Sequence, residues 1–386
     1  MKKKLAIVIV FVIVLVFPMV TWPIVSQFDL PTVDENREKA KFPEFGNDVF
    51  TQFDKYFADR APYRDLLIKL YKGVELSLAK VYQKMQPNDD YSDSYTAIDK
   101  VILGQNDWLF YKGDDSLAYY KGTNLPTERE LRQYVARAEK VNEYFKAQGK
   151  QFVIYIAPNK EQIYSEYVPE GIHVVNEIKR LDLIYNYFKK HSDVTVIYPK
   201  EQLLAAKEIC PTYMQQDTHW NDFGAYVGSK VFFEALQIDV GDVQVTDVAW
   251  SGGDLSRMAV IDGAPYTVYK VNYRPEVTLD YRLTTAEKYE FESSNKNGKN
   301  LLVIGDSFVI ADYSATGNYR EGMKEIIAKE FENTNVYHRD TFTVENNYSS
   351  QFNAATTVMF EAVERYETSI FESFGVLQRF IDIYGL

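Results

Sequence analysis

The hydrophobic pattern begins with an uncharged apolar run from Leu5 to about Ser26, which three lysines precede. About 20 helical residues cross the hydrocarbon core of a bilayer, and this run is longer than the apolar part of most signal peptides. No small-x-small cleavage site follows it, and the lysines favour an orientation with the N-terminus inside. The pattern predicts one transmembrane anchor within residues 1–28. The alternative is a cleaved signal peptide, and both place the remaining chain outside the cytoplasm.

Polar residues with scattered prolines follow at residues 29–48 and predict a linker, which leaves residues 49–386 for a single folded domain. From Phe53 to about Met85 the apolar residues recur near helical spacing, and Pro62 divides this stretch into two predicted helices. The segment VILGQNDWLFY then predicts two short strands on either side of a turn.

Beyond that segment, short apolar strands alternate with amphipathic helices. The first of these helices begins with a Thr127-x-x-Glu130 capping box. This alternation is typical of an α/β fold, in which helices cover both faces of a largely parallel central sheet. The predicted strands are 151–158, 194–199, 301–304, 335–337 and 356–359, the helices are 127–148, 177–191, 222–236 and 322–331, and hairpins are expected within 243–289.

Composition narrows the possible partners. The formal net charge is -12, and no Lys/Arg block occurs beyond the first four residues, so we do not expect nucleic acid as a partner. The single cysteine, Cys210, excludes an intrachain disulfide and Cys-rich metal sites. The sequence has neither a His-x-x-x-His pattern nor a glycine-rich phosphate loop, so we expect no metal and no cofactor.

The first motif with possible chemistry is Gly305-Asp306-Ser307-Phe308, which directly follows the strand LLVI. A serine at the C-terminal end of a parallel strand lies at the sheet edge where α/β proteins bind ligands. Glycine permits the sharp turn, and the backbone N–H groups that follow the serine are candidates for stabilising an oxyanion. The alternative is that Asp306 or Ser307 only caps a helix.

The second motif is Asp217-Thr218-His219-Trp220, in a chain that has only four histidines. A serine hydroxyl needs a base to take its proton, histidine has a suitable pKa, and a carboxylate must hold the imidazole in the correct tautomer. The spacing allows Asp217 to contact the imidazole of His219. The alternative is a histidine with a purely structural role; His338, next to Arg339, is the reserve candidate for the base.

Together the two motifs resemble those of the SGNH-hydrolase-like polysaccharide O-acetyltransferases of the AlgX and AlgJ type, and of their Gram-positive DHHW-protein relatives. The resemblance runs from about Phe50 to the C-terminus and rests on FADRAPYRD, GQNDWLFY, APNKEQIY, DTHW, GDSF and the late ERY. In ordinary SGNH hydrolases the Asp-x-x-His block follows the serine. In the AlgX-like group an Asp-x-His-Trp block precedes it, as it does in this chain.

The resemblance implies an SGNH-like (flavodoxin-like) three-layer catalytic domain at residues 49–386. It also implies that Ser307 attacks an acyl donor, that His219 is the general base, and that Asp217 orients His219. The DHHW relatives have a second histidine where this chain has Thr218.

Further residues are candidates for contacting the substrate or the oxyanion. Tyr313 and Arg339 match a tyrosine and an arginine of the family, with a core tyrosine and a surface salt bridge as the alternatives. Glu364 and Arg365, in the ERY segment, are expected to form a structural ion pair. The full set of substrate or oxyanion candidates is Tyr313, Arg339, Asn159, Lys160 and Trp220.

The resulting hypothesis is O-acetyl transfer to hydroxyl groups of an exported or cell-surface polysaccharide by a membrane-anchored enzyme. The resemblance implies a membrane-bound O-acyltransferase as the partner that supplies the acyl group. Two alternatives stay open: a secreted carbohydrate esterase with the same Ser-His-Asp triad, and an inactive polysaccharide-binding scaffold of a synthase complex.

Overall fold

The structure is a computed structural model, and it describes residues 2–25, 27–28, 32–33, 38–44, 46, 48–88, 97–98, 100–285, 288–310 and 321–386. Tyr313, one of the predicted substrate-contacting residues, lies outside the described residues. Within them, the helices are α1 (Lys2–Val25), α2 (Val49–Ala58), α3 (Arg64–Met85), α4 (Ser116–Lys121), α5 (Glu128–Lys146), α6 (Lys160–Ile163), α7 (Arg180–His191), α8 (Lys200–Lys207), α9 (Asp222–Ala235), α10 (Asp254–Ala259), α11 (Ser307–Ile310), α12 (Met323–Ala328), α13 (Ser349–Ala354), α14 (Thr368–Phe371) and α15 (Val376–Tyr384).

The strands of the described residues form three sheets, of which the largest carries the site. Their bounds are β1 (Ala97–Ile98), β2 (Val101–Leu103), β3 (Leu109–Tyr111), β4 (Gln151–Ala157), β5 (Thr195–Ile197), β6 (Val243–Ser251), β7 (Pro265–Tyr273), β8 (Leu279–Thr285), β9 (Lys288–Ser293), β10 (Asn300–Gly305), β11 (Asn333–His338) and β12 (Thr357–Val363).

The main sheet has seven strands in the order β5-β4-β12-β10-β11-β9-β8. The first five in that order are mutually parallel, which confirms the predicted parallel centre. β9 pairs antiparallel with β11, and β8 pairs antiparallel with β9. The predicted hairpin region therefore does more than form hairpins, because its last two strands extend the main sheet at one edge and make it a mixed sheet.

Helices cover both faces of this sheet, as predicted. Successive strand residues point to opposite faces, so Val153 packs in one apolar cluster and its neighbour Ile154 in the other. The first cluster includes side chains of α9 and α12, namely Phe232, Phe233, Ile326 and Ile327. The second includes side chains of α5, α7 and α15, namely Tyr134, Phe145, Phe188, Leu377 and Phe380. The result is a three-layer α/β domain, which agrees with the predicted fold class.

Local signals in the sequence account for several element boundaries. The structure separates α2 from α3 on either side of Pro62, as predicted. The capping box before α5 is present, since Thr127 Oγ1 accepts from the N–H of Glu130 at 3.3 Å and Glu130 Oε2 accepts from the N–H of Thr127 at 2.6 Å. The predicted short strands around the Gln105–Asp107 turn are β2 and β3, which pair antiparallel.

The N-terminal helix α1 continues through Pro18 and Pro23. Among the described residues, its segment Ile7–Val25 is long and apolar enough to cross a membrane, with a mean hydropathy of 2.8. Length and composition alone support this statement, and a signal sequence would have the same features. Next to this helix, the Tyr63 hydroxyl donates to Thr21 Oγ1 at 2.6 Å.

An insert lies outside the main sheet, between α9 and β8. Its strands β6 and β7 are antiparallel and form a separate two-stranded ribbon. Val243 pairs with Tyr273 at one end of the ribbon, and Ser251 pairs with Pro265 at the other. Between the two strands the chain forms α10, which packs near β2 and β3. The insert therefore places α10 beside the loop that carries His219, as described next.

Candidate active site

Ser307 lies at the C-terminal edge of the main sheet. It directly follows the turn Gly305-Asp306 at the end of β10, and it begins the short helix α11. β10 lies between β12 and β11, so neighbouring strands flank the turn on both sides. Ser307 Oγ lies 2.8 Å from Nε2 of His219, within hydrogen-bonding distance.

The turn before Ser307 is fixed from beneath by polar side chains. Asp306 Oδ2 accepts from the N–H of Val363 and from Nη1 of Arg339, each at 2.8 Å. The N–H of Asp306 donates to Oε2 of Glu361 at 2.8 Å. A Cβ on Gly305 would lie 2.6 Å from that same oxygen, so a larger residue here would displace the Glu361 carboxyl group. The sheet therefore holds the serine turn through two neighbouring chain segments, β12 and the residue that follows β11.

The backbone N–H groups after Ser307 are already used inside this turn. The N–H of Phe308 donates to Asp306 Oδ1 at 2.9 Å, and the N–H groups of Val309 and Ile310 donate to the Asp306 carbonyl. The expectation that these groups stabilise an oxyanion is therefore wrong, because Asp306 caps the short helix and uses them. This capping role was the alternative considered for Asp306.

Glu361 is fully buried on β12, beneath the serine turn. Burial and the neighbouring charge of Asp306 raise the pKa of Glu361 well above its usual value. One cation, Arg339, faces the two carboxyl groups and pairs directly with Asp306 at 2.8 Å. We therefore infer that burial beside Asp306 favours the neutral form of Glu361 in the folded protein.

His219 lies on a loop that Tyr213 and Trp220 close by an isolated bridge. The N–H of Met214 donates to the His219 carbonyl at 3.1 Å across this loop. Just after it, the Asn221 side chain caps α9 by accepting from the N–H of Gly224 at 2.9 Å. The loop is therefore short, and a capped helix fixes its end.

Asp217 and His219 form a carboxylate–imidazole contact. Asp217 Oδ1 lies 2.7 Å from Nδ1 of His219, and it also accepts from the N–H of His219 at 3.1 Å. Asp217 is almost fully buried, whereas 13% of the His219 side-chain surface is exposed. Asp217, His219 and Ser307 thus form a continuous carboxylate–imidazole–hydroxyl chain at the sheet edge.

Several charges act on His219. Burial by itself lowers the pKa of the imidazole, but the hydrogen bond to Asp217 and the charges of Asp217 and Asp254 outweigh burial, so the pKa is raised. The positive charge of Arg365 acts in the opposite direction. For Asp217, burial favours the neutral form, yet the hydrogen bond and charge of His219 lower the pKa of the carboxyl overall. This site therefore favours an ionised carboxylate beside a basic imidazole.

Lys160 does not line the substrate cleft as predicted. Its Nζ is buried and donates to the backbone carbonyls of Met214, Gln215 and Asp217 at 3.2, 3.3 and 2.7 Å. Burial lowers the pKa of Lys160 to about 8. The side chain folds under the loop instead of facing the cleft, because those three carbonyls are its hydrogen-bond acceptors.

Three other candidates also have protein partners. The indole N–H of Trp220 donates to the Phe308 carbonyl at 3.0 Å, and Trp220 is buried. Arg339 binds Asp306, as described above, and is buried as well. The side-chain oxygen of Asn159 accepts from Nη1 of Arg365 at 3.3 Å, and its backbone N–H donates to a buried carboxylate. These residues support the serine and its surroundings from within the protein, whereas the sequence predicted contacts with substrate or oxyanion.

The predicted ion pair between Glu364 and Arg365 is wrong. Glu364 is fully buried, and its two oxygens accept from the N–H of Asn159 and from Nε2 of Gln162, each at 3.0 Å. The Arg365 guanidinium instead lies over the Tyr111, Tyr366 and Phe308 rings, at 5.1, 5.2 and 5.7 Å. Glu364 therefore faces inward, and Arg365 faces the aromatic residues near Ser307.

Asp254 is a site residue that the sequence analysis missed. It lies in the insert, its Oδ1 accepts from the N–H of Thr218 at 2.7 Å, and its Oδ2 lies 3.8 Å from Nδ1 of His219. Neither residue spacing nor the quoted motifs single out an acidic residue at the start of a short helix in this segment. Only the Gly252-Gly253 pair before it hinted at a close backbone approach.

Asp217, His219 and Asp254 are also the described residues whose donor atoms, within 4.8 Å of one another, could hold a metal ion. Nδ1 of His219 and Oδ1 of Asp217 form a hydrogen bond with each other, and the N–H of Asp254 donates a hydrogen bond to Asp217 Oδ2 at 2.9 Å. These atoms are already committed to hydrogen bonds, so the group fits a triad and its support better than an open metal site.

Comparison with known proteins agrees with the fold and with the predicted family. The family described as "SGNH hydrolase-like domain, acetyltransferase AlgX" matches residues 101–334. The chain is 27% identical over 146 residues to the probable alginate O-acetylase AlgJ of Pseudomonas putida, which is 35% of this chain and 34% of that protein. For the protein of the same name from Pseudomonas syringae pv. tomato, the identity is 26% over 142 residues, 35% of this chain and 33% of that protein. The match thus spans about a third of the length of these curated relatives.

Among solved structures, the comparison finds the O-acetyltransferase domain of Pseudomonas putida AlgJ, with 16% identity and a TM-score of 0.47 over 74% of this chain and 99% of that one. Pseudomonas aeruginosa AlgX has 14% identity and a TM-score of 0.47 over 75% of this chain and 66% of that one. The family match covers more than half of the chain, including both motifs of the site. The chain therefore belongs to the family of SGNH hydrolase-like acetyltransferase domains of the AlgX type.

Proposed function

We propose that this protein transfers acetyl groups to hydroxyl groups of a cell-surface or exported polysaccharide, through an acyl-serine intermediate on Ser307. The observation that carries the proposal is the pair of short contacts on His219. Its Nε2 lies 2.8 Å from Ser307 Oγ, and its Nδ1 lies 2.7 Å from Asp217 Oδ1. A chain of this kind makes a serine hydroxyl nucleophilic at neutral pH.

In the first half-reaction, Ser307 Oγ attacks the acyl carbon of the donor while its proton passes to Nε2 of His219. The carbonyl π electrons move to the acyl oxygen, and Asp217 stabilises the imidazolium that forms. When the tetrahedral intermediate collapses, the bond to the leaving group breaks, and His219 returns the proton to that group. The product is acetyl-Ser307 with a neutral imidazole.

In the second half-reaction, a sugar hydroxyl takes the place of the leaving group. His219 removes the hydroxyl proton as the sugar oxygen attacks the acetyl carbon of acetyl-Ser307. Collapse of the second intermediate breaks the bond to Oγ, and the proton passes from His219 to Ser307. The sugar ester leaves, and the enzyme returns to its starting state.

Family membership supports acetyl as the transferred group, and the relatives named alginate O-acetylases support a polysaccharide acceptor. We propose that residues 1–28 hold a membrane anchor, that residues 29–48 are a linker and that residues 49–386 are an extracytoplasmic catalytic domain. The apolar helix α1 supports the anchor. We further propose that a membrane-bound O-acyltransferase supplies the acetyl group, because an anchored Ser307 would stay near such a donor.

The test measures where the acetyl group goes. Full-length protein in detergent receives a chromogenic acetyl ester with and without oligosaccharides, and mass spectrometry quantifies acetylated sugar against acetate. We expect added acceptor to divert product from acetate to sugar ester, and Ser307→Ala to abolish both. If only acetate forms at every acceptor concentration, the protein is an esterase. If polymer acetylation in cells survives Ser307→Ala, the protein is a scaffold.

A further inference from the structure

The β6–β7 ribbon brings a second carboxylate to the base of the proposed triad. Asp254 is the first residue of α10, which connects the two strands of the ribbon. No strand of the main sheet carries it, so the position of Asp254 near His219 depends entirely on how the insert docks. The contacts of the insert therefore decide whether this carboxylate belongs to the site.

Asp254 contacts the Asp-Thr-His segment through three of its groups. Its backbone N–H donates to Asp217 Oδ2 at 2.9 Å. Its Oδ1 accepts from the N–H of Thr218 at 2.7 Å, and its Oδ2 accepts from the Thr218 hydroxyl at 2.5 Å. Thr218 Oγ1 in turn lies 3.2 Å from Nδ1 of His219. These bonds link the insert to both the proposed base and its orienting carboxylate.

The backbone of the insert is shaped for this approach. A Cβ on Gly253 would lie 2.4 Å from the Gln216 carbonyl oxygen and 2.6 Å from Cβ of Asp217, so only glycine fits there. The far end of the insert also binds the same loop, because Gln216 Oε1 accepts from the N–H of Ala264 at 3.0 Å and its Nε2 donates to the Ala264 carbonyl at 3.2 Å. The insert thus holds the loop from both sides of α10.

We propose that Asp254 is a positioning residue for acyl transfer, which fixes the Asp217-Thr218-His219 segment through Thr218 and keeps a second carboxyl group beside the imidazole. This inference rests on the proposed function and deepens it. Burial and the charge of Asp217 raise the pKa of Asp254, whereas His219 and the hydrogen bonds from Thr218 act in the opposite direction. In its ionised form, Asp254 stabilises the imidazolium that forms in both half-reactions, without reorganisation during the reaction.

The charged groups that act on His219 include Asp217 on its own loop, Asp254 on α10 and Arg365 after β12. Buried Lys160 lies beneath the loop, near Asp217 and Asp254. In Asp254→Asn the negative charge disappears, so the imidazolium is less stable and the pKa of His219 falls. The acid limb of the pH–rate profile is then expected to move to lower pH. The side-chain NH2 of the asparagine would also face a hydrogen-bond donor of Thr218, and two donors cannot form a hydrogen bond. We therefore expect the acylation rate to fall about 10- to 100-fold, as for other residues that hold catalytic groups in place.

The experiment measures the burst of chromophore when full-length protein in detergent is acylated by a chromogenic acetyl ester, from pH 5 to 9. The matched control is Asp247→Asn, the same chemical change on exposed β6 of the same ribbon. A slower burst with a downshifted acid limb in Asp254→Asn, and wild-type behaviour in Asp247→Asn, support the proposal. A Ser307-dependent burst whose rate and acid limb are unchanged in Asp254→Asn overturns it and leaves the proposed function standing. A wild-type burst that persists in Ser307→Ala refutes the proposed function and this inference with it.

A second pair of variants tests the link without altering Asp254. Thr218→Val keeps the shape of the side chain but removes the hydroxyl that donates to Asp254, whereas Thr218→Ser keeps the hydroxyl. We expect the valine variant to acylate about 10-fold more slowly and the serine variant to stay within about threefold of wild type. Equal rates for the two variants would overturn the role of the Thr218–Asp254 link, even if Asp254→Asn fails to fold.

Discussion

The two sides of the proposed reaction centre are built in different ways. The serine side is part of the main sheet: Ser307 follows β10, and the turn before it is tied to β12 and to Arg339 after β11. The histidine side is a loop outside the sheet, which buried Lys160 and Asp254 of the insert hold in place. The serine therefore owes its position to strand geometry, and the histidine owes its position to side chains from distant parts of the chain.

This difference predicts different consequences for substitutions. Beneath the serine, several hydrogen bonds from neighbouring strands hold the same turn. Conservative substitutions there should therefore alter the stability of the fold more than the acylation rate. Around the histidine, each support is a few hydrogen bonds, and a shift of the imidazole by even 1 Å is costly for proton transfer. Changes on the histidine side should therefore alter rate more than stability.

The largest effect is expected for Asp217→Asn. The variant keeps the shape of the side chain but loses the charge that orients and stabilises the imidazolium, so the acylation burst should slow about 1,000-fold or more. The burst rate across pH 5 to 9 measures this loss, with Asp247→Asn as the matched control. A decrease smaller than about 10-fold would mean that the Asp217–His219 contact is not part of the chemistry.

The next effect concerns Lys160→Met. Methionine fills a similar volume but cannot donate to the carbonyls of Met214, Gln215 and Asp217, which then lack a buried donor. We expect about a 10- to 100-fold slower burst. Lys230→Met on α9, where the lysine is half exposed, is the control. If Lys160→Met loses stability in urea unfolding but keeps its rate, the loop does not need this support for catalysis.

A smaller effect, with a diagnostic sign, is expected for Arg365→Gln. The positive charge of Arg365 opposes protonation of His219, so its removal raises the pKa of the imidazole and moves the acid limb of the pH–rate profile to higher pH. This shift is opposite to the one expected for Asp254→Asn. Arg132→Gln on α5, an exposed arginine that pairs with Glu128, is the control. A shift of the limb to lower pH in Arg365→Gln would contradict this electrostatic account.

The smallest effect on rate is expected for Glu361→Gln. Because the folded pKa of Glu361 is raised, the folded protein keeps a proton that the unfolded chain loses near pH 4.5, so stability falls as pH rises above that value. Glutamine mimics the protonated acid and should remove this decline at nearly wild-type rate. Glu361→Leu, which leaves the N–H of Asp306 without its acceptor, should cost about 1–3 kcal/mol. Urea unfolding at pH 5 and pH 8 measures both. An equally steep decline in Glu361→Gln would show that Glu361 is ionised.

The alternation of strands and helices predicted the three-layer fold, because it is a local signal. The motifs and their order pointed to Ser307 and His219, and the serine motif directly follows a predicted parallel strand. They missed the supports. Glu361 lies within the strand TVMFEAV, in which Thr357 is the other polar residue, and no sequence pattern marks a buried acid there. Lys160 was singled out by its place after β4, but the sequence does not show which way a long side chain turns. Asp254 was missed because an insert, and not the main fold, delivers it.

The central claim is that Ser307 becomes transiently acetylated with His219 as its base. The most direct measurement is peptide mass spectrometry after full-length protein reacts with an activated acetyl ester and is quenched in acid within milliseconds to seconds. The account predicts an acetyl group on the Ser307 peptide that accumulates, decays faster when oligosaccharide acceptor is present, and is absent in His219→Ala. An unmodified Ser307 peptide during turnover, or equal acetylation in His219→Ala, would contradict it.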